Sequence, residues 1–136
     1  LNVVKNTNLK GRWQTLQVAP RVICDTAHNK EGLYYVMHQL ASLPAKNLHI
    51  VLGVVTDKKL EEILPLFPQD ASYYFCKPNI PRGLDEQVLQ SKASHFGLLG
   101  STYNSVNEAY LAAISNAEKE DVVFVGGSTF VVGEVV

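Results

Sequence analysis

Asp25-Thr26-Ala27-His28-Asn29 sets an acid and an imidazole three residues apart, directly after the apolar run Val22-Ile23-Cys24. A carboxylate at Asp25 could accept from a ribose hydroxyl or orient a cation. An imidazole at His28 could stack on, or hydrogen-bond to, a nucleotide or a carboxylate. The plainer reading makes Asp25 or Asn29 the N-cap of the helix that follows, and spacing leaves both readings open. Two arginines could meet an anion, because the guanidinium fork gives two parallel charged bonds. Arg12 follows Gly11 ahead of the first apolar run. Arg82 ends Pro78-Asn79-Ile80-Pro81-Arg82, a loop stiffened by two prolines. A single arginine is by default solvated surface, so neither signal stands alone.

Two further segments carry chemistry. Asp57-Lys58-Lys59 could face a ligand, or could be a capped helix start with a solvated charge run. Gly126-Gly127-Ser128 would let backbone approach a ligand closely, or could be a tight strand-to-helix turn. It has neither the G-x-G-x-x-G spacing nor a P-loop lysine. Ser128 has no base near it in sequence, so no nucleophile triad is legible. Nothing matches a zinc or calcium motif. His38, His49 and His95 fall inside elements and read as structural or surface residues.

These segments need elements to position them. Trp13 to Val18 reads as a strand, and Val22 to Cys24 as a second, close enough to form a hairpin with it. Leu33, Val36, Met37, Leu40 and Ala41 recur at helical spacing until Pro44. Leu48 to Val55 is an almost unbroken apolar strand, the pattern of a strand covered on both faces. A helix from Leu60 to Phe67 stops at Pro68, and a strand follows from Ala71 to Cys76. The next helix carries Val88, Leu89, Ala93 and Phe96 and closes at Gly97; Leu98 to Tyr103 is a weaker strand. Ser105 and Glu108 have capping-box spacing and open a helix with Val106, Ala109, Tyr110, Ala113, Ile114 and Ala117 inward. Val122 to Val125 is the most strand-like run, and the Gly-Gly-Ser turn leads into a last helix.

Alternating strands and helices predict an α/β fold. The expectation is a three-layer, Rossmann-like, mostly parallel sheet of about six strands, with one antiparallel edge strand and helices on both faces. Such sheets bind ligands at the carboxyl ends of their strands. Asp25 to Asn29, Thr56 to Lys59, Lys77 to Arg82 and Gly126 to Ser128 all fall there, while Arg12 alone precedes its strand.

The 136 residues fit one domain, and 46% hydrophobic against 18% charged residues describes an ordinary globule. A net charge of −1 gives no reason to expect a nucleic-acid partner. No apolar run approaches the ~20 residues that span a bilayer, and no signal peptide opens the chain. Cys24 and Cys76 sit in apolar runs without metal-ligand spacing and read as two inert reduced thiols, which places the chain in the cytoplasm. Leu1 is not an initiator methionine, so residues 1–10 are expected to be a linker remnant of a longer protein.

Gly11-Arg12-Trp13-Gln14, Asp25-Thr26-Ala27-His28-Asn29, Gly53-Val54-Val55-Thr56-Asp57-Lys58, Pro81-Arg82 and Gly127-Ser128 occur in that order. Together they resemble the C-terminal domain of folylpolyglutamate synthase and the bifunctional dihydrofolate synthase, relatives of the Mur ligases, over about Asn2 to Val136. The resemblance implies an ATP-dependent, ADP-forming ligase joining L-glutamate to a folate or dihydropteroate carboxyl through an acyl phosphate. A separate N-terminal P-loop domain, absent here, would supply the magnesium ligands, and residues 1–136 alone would be inactive. By position, Arg12 and Asp25 would contact the nucleotide, and His28, Ser128 and Arg82 would lie on the glutamate side. Asn29, Asp57 and Lys58 are further candidates.

The sequence departs from the family pattern at Lys30, where proline is usual, at Lys59, where aspartate is usual, and at Thr129-Phe130, where leucine and tyrosine are common. Two other readings compete. One is a nucleotide-sensing or receiver-like module, for which Asp25, Asp57 and Lys58 supply only part of the acidic cluster. The other is a Mur-type ligase for a different amino acid.

Overall fold

The computed structural model describes residues 13–136, so Arg12 and the expected linker lie outside the described residues. In chain order the elements are β1 (Gln14–Val18), β2 (Arg21–Cys24), α1 (Lys30–Ala41), β3 (Leu48–Leu52), α2 (Leu60–Ile63), β4 (Ser72–Phe75), α3 (Glu86–Ser94), β5 (Gly100–Thr102), α4 (Val106–Asn116), β6 (Val122–Gly126) and α5 (Thr129–Val135). The six strands form one sheet in the order β1-β2-β6-β3-β4-β5. Only β1 is antiparallel, joined to β2 through a cis Ala19–Pro20 peptide.

The side-chain period of two sorts each strand between two cores. Ile23, Ile50, Leu52, Tyr73, Phe75 and Phe124 face the core that takes Leu33, Val36 and Leu40 of α1, Leu60 and Ile63 of α2, and Leu89 and Ala93 of α3. Val22, Cys24, Val51, Tyr74, Val123 and Val125 face the other, which takes Val106, Ala109 and Ala113 of α4 and Val131 and Val132 of α5. The sheet is therefore covered on both sides, as the unbroken apolar runs predict. Burial pushes the thiols of Cys24 and Cys76 up to about 12, so both stay protonated and inert at neutral pH.

Several element boundaries shift from the sequence expectation, and three of the shifts have a clear cause. β3 ends at Leu52 rather than Val55, because Val54 and Val55 leave the ladder to pair with Leu84 and Gly83. The helix expected from Leu60 to Phe67 breaks into α2 and a 3-10 turn over Leu64–Leu66. Pro65 has no N–H to donate and its ring opposes the carbonyl four residues back. β5 begins at Gly100 rather than Leu98, because Leu98 N–H closes α3 onto Ala93, with Gly97 N–H on Ser94. Ser105 caps α4 as its spacing to Glu108 predicts, its Oγ accepting from Glu108 N–H.

At the amino ends of the strands lies a buried polar chain. His49 Nε2 stands 2.9 Å from Asp121 Oδ2, and His49 Nδ1 stands 2.9 Å from the Tyr74 hydroxyl, which accepts from Asn116 Nδ2. Burial raises the Asp121 carboxyl, but bonds from Glu118 N–H and His49 outweigh it and hold the group below its usual value. Removing one partner of such a pair strands the other without water. Asp121→Ala should lower the unfolding free energy in urea at pH 7 by roughly 3 kcal/mol. A depressed carboxyl stabilises fully above its ordinary value of 3.8 and loses that effect as pH falls through the lower folded value. The gap between wild-type and variant midpoints should therefore hold from neutrality down to about 3.8 and narrow between there and the lower folded value.

Candidate functional site

The topology makes one crevice. α1, α2 and α3 lie on one face, whereas α4 and α5 lie on the other. β6 is inserted between β2 and β3. The chain leaves β2 and β3 toward one face and leaves the neighbouring β6 toward the opposite face, so the loops at their carboxyl ends splay apart. That is the switch point at which open α/β sheets bind ligands.

Two clefts meet there. The larger, about 740 Å³, is lined by Trp13, Asp25, His28, Asn29, Tyr35 and Gln39, among others. The smaller, about 180 Å³, is lined by His28, Val55, Asp57, Lys58, Arg82, Ser128, Thr129 and Phe130. His28 and Thr129 line both. Pockets for cofactor-sized molecules run at about 300–1,000 Å³, so the larger cleft suits a nucleotide and the smaller a compact metabolite.

Asp25 is 4% exposed. Its Oδ1 accepts from Ala27 N–H and its Oδ2 from Trp13 N–H, both at 2.7 Å. The carboxylate thus ties the loop to the start of β1 and holds Trp13 at φ 44°, a left-handed conformation unusual for a bulky residue. Asn29 is the N-cap of α1, accepting from Gly32 N–H, so the capping alternative holds there. His28 is exposed, and its Nδ1 lies 3.2 Å from the Thr26 carbonyl oxygen. A carbonyl only accepts, so Nδ1 donates, and Nε2 is left as an acceptor whenever the ring is neutral.

Asp57 does not cap α2, whose N-cap residue is Lys59 without a side-chain bond. It reaches across the cleft instead, with Oδ2 3.5 Å from Arg82 Nη1. Partial burial lowers Lys58 from its usual value; Asp57 opposes this and Arg82 adds to it. The Arg82 loop is stitched to the end of β3, its carbonyl accepting from Thr56 N–H at 2.7 Å. Ser128 is buried and caps α5, its Oγ accepting from Phe130 N–H.

Two glycines make this geometry possible. Gly127 has φ +97°, and a Cβ there would stand 2.6 Å from the Gly53 carbonyl oxygen. A Cβ on Gly53 would meet the Cys76 carbonyl oxygen at 2.8 Å. Neither position admits a side chain without moving backbone.

Five of the sequence candidates, His28, Asp57, Lys58, Arg82 and Ser128, therefore share the smaller cleft. Asp25 and Asn29 lie on the larger one with His28, and Arg12 lies outside the described residues. Sequence reasoning passed over Tyr35, Gln39 and Phe130 as lining residues. Tyr35 is 73% exposed, and an aromatic on the polar side of a helix was the available signal.

Residues 11–129 match the family model described as Mur ligase, glutamate ligase domain. The chain belongs to this family. It is 36% identical over 131 residues to the dihydrofolate synthase/folylpolyglutamate synthase of Escherichia coli, covering 93% of this chain and 30% of that protein. A Haloferax volcanii relative is 33% identical over 132 residues, covering 96% of this chain and 16% of its own length. Among solved structures, E. coli FolC in complex with DHPP and ADP superposes with a TM-score of 0.85 at 31% identity, over 93% of this chain and 30% of that one. A bifunctional folylpolyglutamate synthase/dihydrofolate synthase with Mn, AMPPNP and L-glutamate bound gives 0.80 at 26% identity, over 92% and 30%. The chain thus spans less than a third of these relatives. Family membership sets the receiver-like reading aside.

Asp25→Asn replaces one acceptor oxygen with an amide donor that would face a backbone N–H. The loss of that bond should cost about 1–3 kcal/mol. Trp13 is the one tryptophan, so its emission reports on this corner. Denaturation followed by that emission should show a lower midpoint, and the native spectrum should shift to the red.

Proposed function

We propose that this chain is the C-terminal domain of an ATP-dependent, ADP-forming amide ligase that adds L-glutamate to dihydropteroate or folate. In this reading it works in the cytoplasm, joined to an N-terminal P-loop domain, and is inactive by itself. The observation that carries the reading is the convergence of His28, Lys58, Arg82 and Ser128 on one small cleft beside a larger one. Relatives solved with ADP, with AMPPNP and with L-glutamate support it.

The larger cleft fits a nucleotide. Trp13 and Tyr35 offer aromatic faces, Asn29 and Gln39 offer amides, and Asp25 keeps the loop and Trp13 in place. Arg12, next in sequence to Trp13, is assigned to the phosphates. Bound ATP with magnesium supplies the phosphoryl group that converts the acceptor carboxylate to an acyl phosphate. Among the described residues no cluster of three or more His, Cys, Asp or Glu is placed to hold a metal, and the proposal puts no magnesium ligand here.

The smaller cleft takes the amino acid. Arg82 pairs with a carboxylate, and Lys58 adds positive charge. Ser128 still has a hydroxyl proton to donate after its cap bond, and His28 offers Nε2 as acceptor to the ammonium group. After the ammonium loses a proton, the amine attacks the activated carboxyl and displaces phosphate; holding the two together makes this step effectively intramolecular, and closure of the two domains excludes the water that would hydrolyse the acyl phosphate.

The test uses the longer ligase that contains this chain. Arg82→Ala should raise KM for L-glutamate roughly tenfold or more, while KM for ATP stays within about twofold. An equal loss for both substrates would contradict the assignment. Residues 1–136 alone should turn over no ATP.

A further inference from the structure

Arg82 is held by more than its own loop. Its Cζ lies 5.7 Å from the centre of the Phe130 ring, on the first turn of α5. One turn further along the same helix, Glu134 Oε2 accepts from Asn79 N–H at 2.7 Å, in the loop that carries Arg82. Phe130 and Glu134 are four residues apart, so they share a helix face. α5 therefore grips the Arg82 loop at two points, one on the backbone and one on the guanidinium.

We propose that Phe130 is a positioning residue for Arg82, holding its guanidinium by the flat face so that the N–H edge is presented to the carboxylate of the incoming amino acid. This rests on the function proposed above. Guanidinium stacking on an aromatic ring uses the planar face, whereas carboxylate recognition uses donors in the plane, so the two do not compete. The Asp57 contact occupies one of five N–H donors, at 3.5 Å between exposed groups. Such a pair is weak and screened, and an arriving carboxylate displaces Asp57 while Phe130 keeps its hold.

The test compares Phe130→Leu, which keeps apolar bulk without a ring, with Phe130→Tyr, which keeps the ring. In the longer ligase, Phe130→Leu should raise KM for L-glutamate about two- to fivefold, with kcat, KM for ATP and melting temperature unchanged. Phe130→Tyr should restore the wild-type KM. In nitrogen-15 spectra of residues 1–136, the Arg82 side-chain N–H should move downfield in Phe130→Leu as the ring current is lost. An unchanged KM for glutamate in an active Phe130→Leu enzyme overturns the role of Phe130 and leaves the ligase reading intact. So does an unmoved Arg82 signal, or a rise that tyrosine fails to reverse. A wild-type enzyme that ligates no glutamate overturns the ligase reading and this role together.

Discussion

The rim of the sheet depends on how closely the backbone of β6 passes the end of β3. Gly53 N–H reaches the Gly126 carbonyl at 3.4 Å, and Gly127 then turns at positive φ directly against the Gly53 carbonyl. A side chain at Gly127 would meet the Gly53 carbonyl oxygen and push the two strand ends apart. Ser128 and Phe130 are set by that turn, and Val55 to Lys58 by the exit from β3. The opposing walls of the smaller cleft are thus fixed by one contact between backbones, made where β6 wedges between two strands whose chains depart to the other face.

Given that contact, each functional side chain is held by a partner suited to it. The Asp25 carboxylate accepts from two backbone N–H groups, one on each oxygen, which makes it the anchor of the loop bearing His28. His28 has its tautomer chosen by the Thr26 carbonyl. Arg82 is fixed through its own carbonyl, by Glu134 on its loop and by Phe130 on its guanidinium. Arg82 stays exposed and Lys58 half-buried, while the groups that aim Arg82 are themselves bonded.

The fold was largely legible because period and punctuation agreed. Asn29 and Ser105 announced helix starts, and the apolar runs at Val22, Leu48 and Val122 announced strands covered on both faces. The misses occurred where tertiary pairing overrode local pattern. Val54 and Val55 continue an apolar run but bond to the Arg82 loop, a contact some 30 residues away that no window contains. His49 read as a bland core or surface residue, and only the register of β3 against β4 and β6 brings Tyr74 and Asp121 to its two nitrogens. Asp25 was ambiguous between ligand and cap; Asn29 proves to be the cap of α1, and the bond from Asp25 to Trp13, 12 residues upstream, lay beyond any local pattern. Phe130 was noted only as a departure from a pattern, because its partner Arg82 comes from another loop.

In the proposed function, the loops after β2, β3 and β6, with the Arg82 loop, form one amino-acid site at the switch point of the sheet. Crystals of the longer ligase grown with ADP and L-glutamate test it most directly. The account predicts density for the amino acid in the smaller cleft, a carboxylate on the Arg82 guanidinium, and His28 and Ser128 within hydrogen-bonding distance. Glutamate bound elsewhere, with this cleft filled only by solvent, would contradict it.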